Sequence, residues 1–307
     1  MTKQTAAYDF KEVLRKAAAA VLGVSLFFSS AGAGSAYGAE KPALPSNTAR
    51  SAISIEADTG KIFYSKNLHY KRDPLSTTKL LTCLVALEHL KLGDTVTVTK
   101  GAVDAGAKAD SSNVDLKKGE KVKVRDLLYA CMLPSGNDAA VALAHGTAGT
   151  TAKFAKLMNE KARELGCRDS NFANPQGWKA SNHYTSVYDM AKITKAAMEV
   201  PAIERACSTE MYKMAKTNKH KARWIATTNY LVAKKKYPKS GVYAGKTGTW
   251  DSGNASLVSA CERDGKVFYV VVLKDSKEGR YVTTNKIVNY SYKKLKWMQE
   301  QGQRSEL

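Results

Sequence analysis

Between residues 76 and 92, Leu80, Leu81, Leu84, Val85, Leu87 and Leu90 would cover most of the circumference of an α-helix. A helix apolar nearly all round must be covered on every side, so the chain has to enclose at least one whole helix in its core. A chain of 307 residues, 44% hydrophobic and 25% charged, is large enough for that and has ordinary globular composition. Asp73-Pro74 introduces the helix, and Gly93 stands where a C-terminal glycine usually does. Its opening is polar: Ser76 and Lys79 are one turn apart, and residues three apart share a helix face.

Around this helix the pattern predicts a strand hairpin over 51–66, in which Ile53 and Ile55 alternate with polar neighbours and Asp58-Thr59-Gly60 makes the turn. A strand over 94–99 follows, then helices over 124–133, 137–144, 151–165 and 186–198. Pro134 stops the first of these, Thr150 or Thr151 caps the third and Gly166 closes it. The stretch 213–239 is basic and irregular. Strands over 242–247, 255–261 and 267–273 come next, the last two joined by Arg263-Asp264-Gly265, and an amphipathic helix over 281–301 closes the chain. An α/β (α+β) architecture satisfies this order: an antiparallel sheet built from both chain ends, flanked by helices, with a helical block inserted.

Residues 1–39 read as a separate segment. Lys3, Lys11, Arg15 and Lys16 precede an apolar run from Ala17 to Phe28 and a small-residue stretch ending at Ala39, the three-part pattern of a secretory signal peptide. The segment is expected to be cleaved, or retained as an anchor; 40–48 is a linker, 49–301 the catalytic domain and 302–307 a tail. The formal net charge of +20 suits an acidic partner such as an envelope polymer or anionic lipid, and export argues against nucleic acid. The plainer reading of the lysines is a solvated face. Cys83, Cys131, Cys167, Cys207 and Cys261 are widely spaced and odd in number, which argues against a disulfide framework or a metal cluster, and Cys83 and Cys131 sit in apolar helical runs where buried thiols are the common case.

Three short motifs carry chemistry: Ser76-Thr77-Thr78-Lys79, Ser135-Gly136-Asn137 and Lys246-Thr247-Gly248. A serine hydroxyl is a weak nucleophile until something takes its proton, and a lysine can do so only when neutral. Burial and a second cation, for which Lys246 is the candidate, both disfavour the ammonium form. The unpaired Ser76 N–H at the helix start and the N–H of Thr249 are candidate donors to an oxyanion. Each motif alone has a plainer role: Ser76 and Asn137 as helix caps, Lys79 as a solvated side chain, Ser135 as a turn residue, Lys246 as a strand end. Their order and setting, with one opening a buried helix, one in a turn between helices and one ending a strand, are what a shared cleft requires.

With these motifs, the sequence from about Ala49 to Lys274 resembles the low-molecular-weight penicillin-binding proteins that act as serine-type D-alanyl-D-alanine carboxypeptidases. The resemblance extends to Asn174-Pro175-Gln176-Gly177 and to residues 183–190. It implies a β-lactamase/DD-peptidase-like fold and no cofactor. Ser76 would form the acyl-enzyme, Lys79 accept its proton, Ser135 relay a proton to the leaving D-alanine, and Asn137 hold the substrate amide. Lys246 and Thr247 would hold the terminal carboxylate, with Gly248 and Thr249 lining the same strand. The implied partners are stem peptides ending in D-Ala-D-Ala and β-lactams as covalent inhibitors.

Two departures stand out. Relatives often continue into a second domain and an amphipathic tail, so anchoring here is expected from the N-terminus or from charge. The basic residue that often follows the Asn of the Thr228-Asn229 segment is Tyr230 here, with Arg223 a candidate substitute. His183 could serve as a base, but its place in a family turn favours a structural role. A class A β-lactamase shares the three motifs and adds a Glu-x-x-Leu-Asn segment, which none of Glu160, Glu164, Glu199, Glu204 and Glu210 supplies. An inactive envelope-binding protein that kept the fold is the rival from another class, and the intact motifs argue against it.

Overall fold

The computed structural model describes residues 40–233, 237 and 240–305. The expected signal segment, part of the basic stretch and the last two residues lie outside the described residues. The first hairpin forms as β1 (Ser51–Glu56) and β2 (Ile62–Lys66). A 3-10 turn, Leu75–Thr78, then leads into α1 (Lys79–His89), which starts three residues later than the periodicity predicts. Leu75 is left-handed (φ 53°), which winds the entry tightly, and Leu90 is extended, which ends the helix before Gly93.

The inserted block contains β3 (Thr95–Thr97), α2 (Lys100–Ala107), β4 (Lys121–Lys123), α3 (Val124–Met132), α4 (Asn137–Ala148), α5 (Thr151–Glu164), α6 (Val187–Met198) and α7 (Pro201–Ser208). Of the two threonines considered for the α5 cap, Thr150 takes the role, accepting from Lys153 N at 3.2 Å. α2, α7 and the short β3–β4 pairing were not foreseen. Nor was the hairpin of β5 (Met211–Met214) and β6 (Arg223–Ala226) inside the stretch expected to be irregular. The chain closes with β7 (Val242–Thr249), β8 (Ala255–Arg263), β9 (Lys266–Asp275) and α8 (Gly279–Ser305).

The main sheet is antiparallel with order β2-β1-β9-β8-β7, so the two chain ends meet where β1 pairs with β9. Asp264 and Gly265, both at positive φ, give β8–β9 the turn that matches strand twist. Along β9, Phe268, Val270 and Val272 face α8 through Ile287 and Val288, while Tyr269, Val271 and Leu273 join the core shared with α1, α3 and α6. Burial on both faces explains the uninterrupted apolar run of this strand. From Lys79 to Ala86, α1 is buried throughout, as its all-round hydrophobicity requires. Its N-terminal turn emerges beside β7.

Candidate active site

Ser76 lies in the 3-10 turn ahead of α1, and Lys79 is the first residue of the helix proper. In a 3-10 turn positions i and i+3 eclipse, so the tight entry stacks the two side chains. Lys79 Nζ is 3.0 Å from Ser76 Oγ. It also donates to Asn137 Oδ1 at 2.7 Å and to the Gln176 carbonyl at 2.8 Å. A neutral amine has two N–H groups and one lone pair; the two acceptors can engage the former and leave the latter facing the Ser76 hydroxyl. No partner of Lys79 here is a carboxylate. Burial lowers the Lys79 pKa to about 8.

Ser135 follows Pro134 in the turn between α3 and α4 and takes a left-handed backbone (φ 66°). The Gly136 N–H donates to the Ala130 carbonyl at 2.8 Å, folding the turn back on α3. Lys246 Nζ reaches across from β7 to Ser135 Oγ (2.9 Å) and donates to the carbonyl of Thr247 (2.7 Å). Lys246 is buried, and its pKa is driven well below the usual lysine value, first by burial and then by the charge of Lys79. For Lys79 burial is what lowers the pKa, rather than the second cation that the sequence suggested. Thr247 Oγ1 is 2.7 Å from Thr228 Oγ1.

Two glycines allow this convergence. A Cβ on Gly248 would stand 3.2 Å from Ser76 N and 3.0 Å from Leu75 Cβ, so β7 approaches the turn only without a side chain there. Gly177 is at φ +85°, and a Cβ on it would sit 1.9 Å from the Leu75 carbonyl oxygen. The 174–177 loop is therefore pressed onto the Ser76 turn, which puts the Gln176 carbonyl on Lys79.

Ser76, Asn137, Gln176, Gly177, Trp178, Thr249 and Trp250 are among the residues lining a cleft of about 240 Å³. Lys79, Ser135, Lys246 and Thr247 do not line it; they are buried. All eight sequence-selected residues thus belong to one region, three lining the cleft and five, with the buried Gly248, beneath its surface.

Several neighbours had no signal in the sequence. Arg280, from the first turn of α8, donates from Nη1 to the Gly248 carbonyl (2.9 Å) and Thr249 Oγ1 (2.7 Å) and from Nη2 to Tyr281 OH (3.1 Å). It fixes the end of β7 that faces Ser76. Arg223 is not a substitute for the missing basic residue, because its Nη2 donates to the Val114 carbonyl and its Nη1 lies 3.8 Å from Glu120. Tyr230 stacks on Tyr281 instead. Trp178 and Trp250 meet edge to face at 5.3 Å at the cleft wall.

His183 accepts from Ala173 N at Nδ1 and meets Thr78 Oγ1 at Nε2 (3.0 Å), while burial lowers its pKa to about 4. It is a neutral strut beneath the turn, in line with the structural reading. All five cysteines are buried and free.

A two-sided sheet, an inserted helical block and a Ser-x-x-Lys turn between them define the β-lactamase/DD-peptidase class of fold. The family described as D-alanyl-D-alanine carboxypeptidase matches residues 38–277. The D-alanyl-D-alanine carboxypeptidase DacF of Bacillus subtilis (strain 168) is 34% identical over 251 residues, covering 80% of this chain and 62% of that protein. The chain thus spans under two thirds of that relative's length. The D-alanyl-D-alanine carboxypeptidase of Streptomyces sp. (strain K15) is 32% identical, with 91% of this chain and 99% of that protein covered. The crystal structure of the Streptomyces K15 DD-transpeptidase superposes with a TM-score of 0.75 at 30% identity, covering 82% of this chain and 99% of that one. The chain belongs to the D-alanyl-D-alanine carboxypeptidase family.

Proposed function

We propose that this protein is a serine-type D-Ala-D-Ala carboxypeptidase that removes the terminal D-alanine from peptidoglycan stem pentapeptides through an acyl-enzyme on Ser76. The observation that carries the reading is the 3.0 Å approach of a buried, low-pKa amine to a cleft-lining hydroxyl.

In this scheme Ser76 Oγ gives its proton to neutral Lys79 Nζ and attacks the carbonyl carbon between the two D-alanines. The N–H groups of Ser76 and Thr249 stabilise the resulting oxyanion. The C–N bond breaks, the leaving amine takes a proton through Ser135, and water then releases the shortened peptide from Ser76. The substrate's terminal carboxylate sits against Lys246 and Thr247 and favours the ammonium form of Lys246. A cation there disfavours a second one at Lys79, so arrival of the right C-terminus itself raises the fraction of Lys79 that is neutral and able to accept a proton. Asn137 donates from Nδ2 to Ser111 Oγ at 2.8 Å and takes up the substrate amide.

Nothing among the partners of Lys79 resembles the water-activating glutamate of a class A β-lactamase, so penicillin is held as a lasting adduct. The convergence of all three motifs counts against an inactive scaffold. The transpeptidase among the structural neighbours favours a second outcome, transfer of the acyl group to an amine instead of water. The family's chemistry belongs to the cell envelope, where the basic charge draws the protein to anionic polymers or membrane.

The test is D-alanine release from a pentapeptide ending in D-Ala-D-Ala, compared with Ser76→Ala. Loss of turnover by roughly a million-fold is expected by analogy with other serine hydrolases. Equal rates would contradict the proposal, and defined acceptor amines would apportion hydrolysis and transfer.

A further inference from the structure

From Met211 to Trp250 the chain holds lysines and an arginine but neither Asp nor Glu. The fold turns the first part of this stretch into the β5–β6 hairpin, whose cross-strand pairs are Met211↔Ala226, Tyr212↔Ile225, Lys213↔Trp224 and Met214↔Arg223. The pairs alternate strictly between faces. Ile225 and Met214 are buried, and Tyr212 stacks flat on Tyr129 of α3 at 3.8 Å. Met211, Lys213, Trp224 and Ala226 face solvent, with Trp224 61% and Met211 54% exposed.

The hairpin is held firmly in this attitude. Thr217 Oγ1 donates to Glu120 Oε1 (2.8 Å), and His220 Nδ1 lies 3.1 Å from Glu120 Oε2. Asn218 exchanges contacts with the Lys121 N–H and the Gly119 carbonyl. The neighbouring carboxylates are accounted for. Glu120 is buried beneath the loop, Asp115 pairs with Lys117, and Glu210 is exposed at the foot of β5. Lys213, Lys216, Lys219 and Lys221 are exposed, and Lys213 lies 5.8 Å from the centre of the Trp224 ring.

We infer that this hairpin is a docking surface for an anionic lipid bilayer, with Trp224 and Met211 entering the headgroup region while the lysines meet the phosphates. Charge alone would serve a soluble polyanion equally well. The exposed indole and thioether discriminate, because they gain free energy only where an apolar phase lies behind the charges. An amphipathic ring at the interface and basic side chains near anionic headgroups are the recognised components of such contacts. A surface of this kind would hold the enzyme beside its membrane-proximal substrate whatever residues 1–39 contribute. The inference does not depend on Ser76 being the nucleophile.

The test uses the full chain with vesicles of phosphatidylglycerol carrying brominated acyl chains, read by quenching of tryptophan fluorescence. Bromine quenches only rings that reach the acyl region, so the readout is local even if another segment tethers the protein. A quenched component absent from Trp224→Phe but retained in Trp250→Phe is expected. It should weaken with added salt and fall tenfold or more when Lys213, Lys216, Lys219 and Lys221 are changed together to Gln. Phosphatidylcholine vesicles should give none. Unchanged quenching in Trp224→Phe would overturn the inference. So would absence of quenching in the parent protein alongside polyphosphate binding that the four-lysine variant loses, which would assign the surface to a soluble polyanion. Unaltered penicillin acylation in each variant shows that the fold is intact.

Discussion

The chemistry of this site turns on an amine kept out of water. Burial favours the neutral form of Lys79, and its pKa of about 8 means that the fraction able to accept the Ser76 proton grows as pH rises through that value. Acylation by penicillin should therefore climb about tenfold per pH unit below 8 and level off above it, measured by stopped-flow kinetics; a flat profile from 6 to 9 would remove Lys79 as the base. Lys79→Ala should slow acylation severely with Ser76 still in place, and unchanged acylation would again exclude it. Ser76, Lys79, Ser135 and Lys246 were legible in the sequence because each belongs to a short motif whose setting could be inferred from local pattern. Arg280 was not. It is one arginine among many, far along the chain from Lys246, and only the packing of α8 against the end of β7 brings it to Thr249. The same distance misled the reading of Arg223, whose partner Glu120 lies on a loop with no periodicity to reveal it.

At the level of elements, turns matter more than helices. The 3-10 entry to α1 was hidden because apolar periodicity reports a helix but not how its first turn is wound; the left-handed Leu75 and the pressure of the 174–177 loop decide that. Gly177→Ala tests this directly. A methyl group placed against the Leu75 carbonyl, on a backbone that disfavours side chains, should cost about 2 kcal/mol or more and move Gln176 away from Lys79. A lower melting temperature and slower penicillin acylation together are expected, and a variant with both at parent values would show that the loop does not shape the site. The β5–β6 hairpin escaped notice for a different reason. Its strands are four residues each, and the apolar Met211 and Trp224 occupy outward positions where polar side chains would have made the alternation plain. α2 and α7 are eight residues each, too short for periodicity to stand out.

For the whole molecule, the joining of both chain ends in one sheet was readable because strand-like segments cluster at the two ends of the sequence, with helical segments between. Enclosing two lysines in that body has a thermodynamic consequence. The folded-state pKa of Lys79 lies below its unfolded value near 10.5, so between pH 8 and 10.5 the unfolded chain binds more protons and folding gains as pH rises. Below pH 8 the full cost of burying the charge is present. Lys79→Met should accordingly stabilise the protein by roughly 3 kcal/mol at pH 7 if the thioether fills the same space, with the difference fading towards pH 10.5 in denaturant titrations. A difference that stays constant with pH would mean that the Lys79 pKa is the same in the folded and unfolded states. The most direct test of the account as a whole is the mass and position of the adduct formed with penicillin. A single covalent adduct mapped to the peptide containing Ser76, persisting for many minutes and missing from Ser76→Ala, is predicted. An adduct on another residue, or rapid release of hydrolysed penicillin with no adduct, would contradict it.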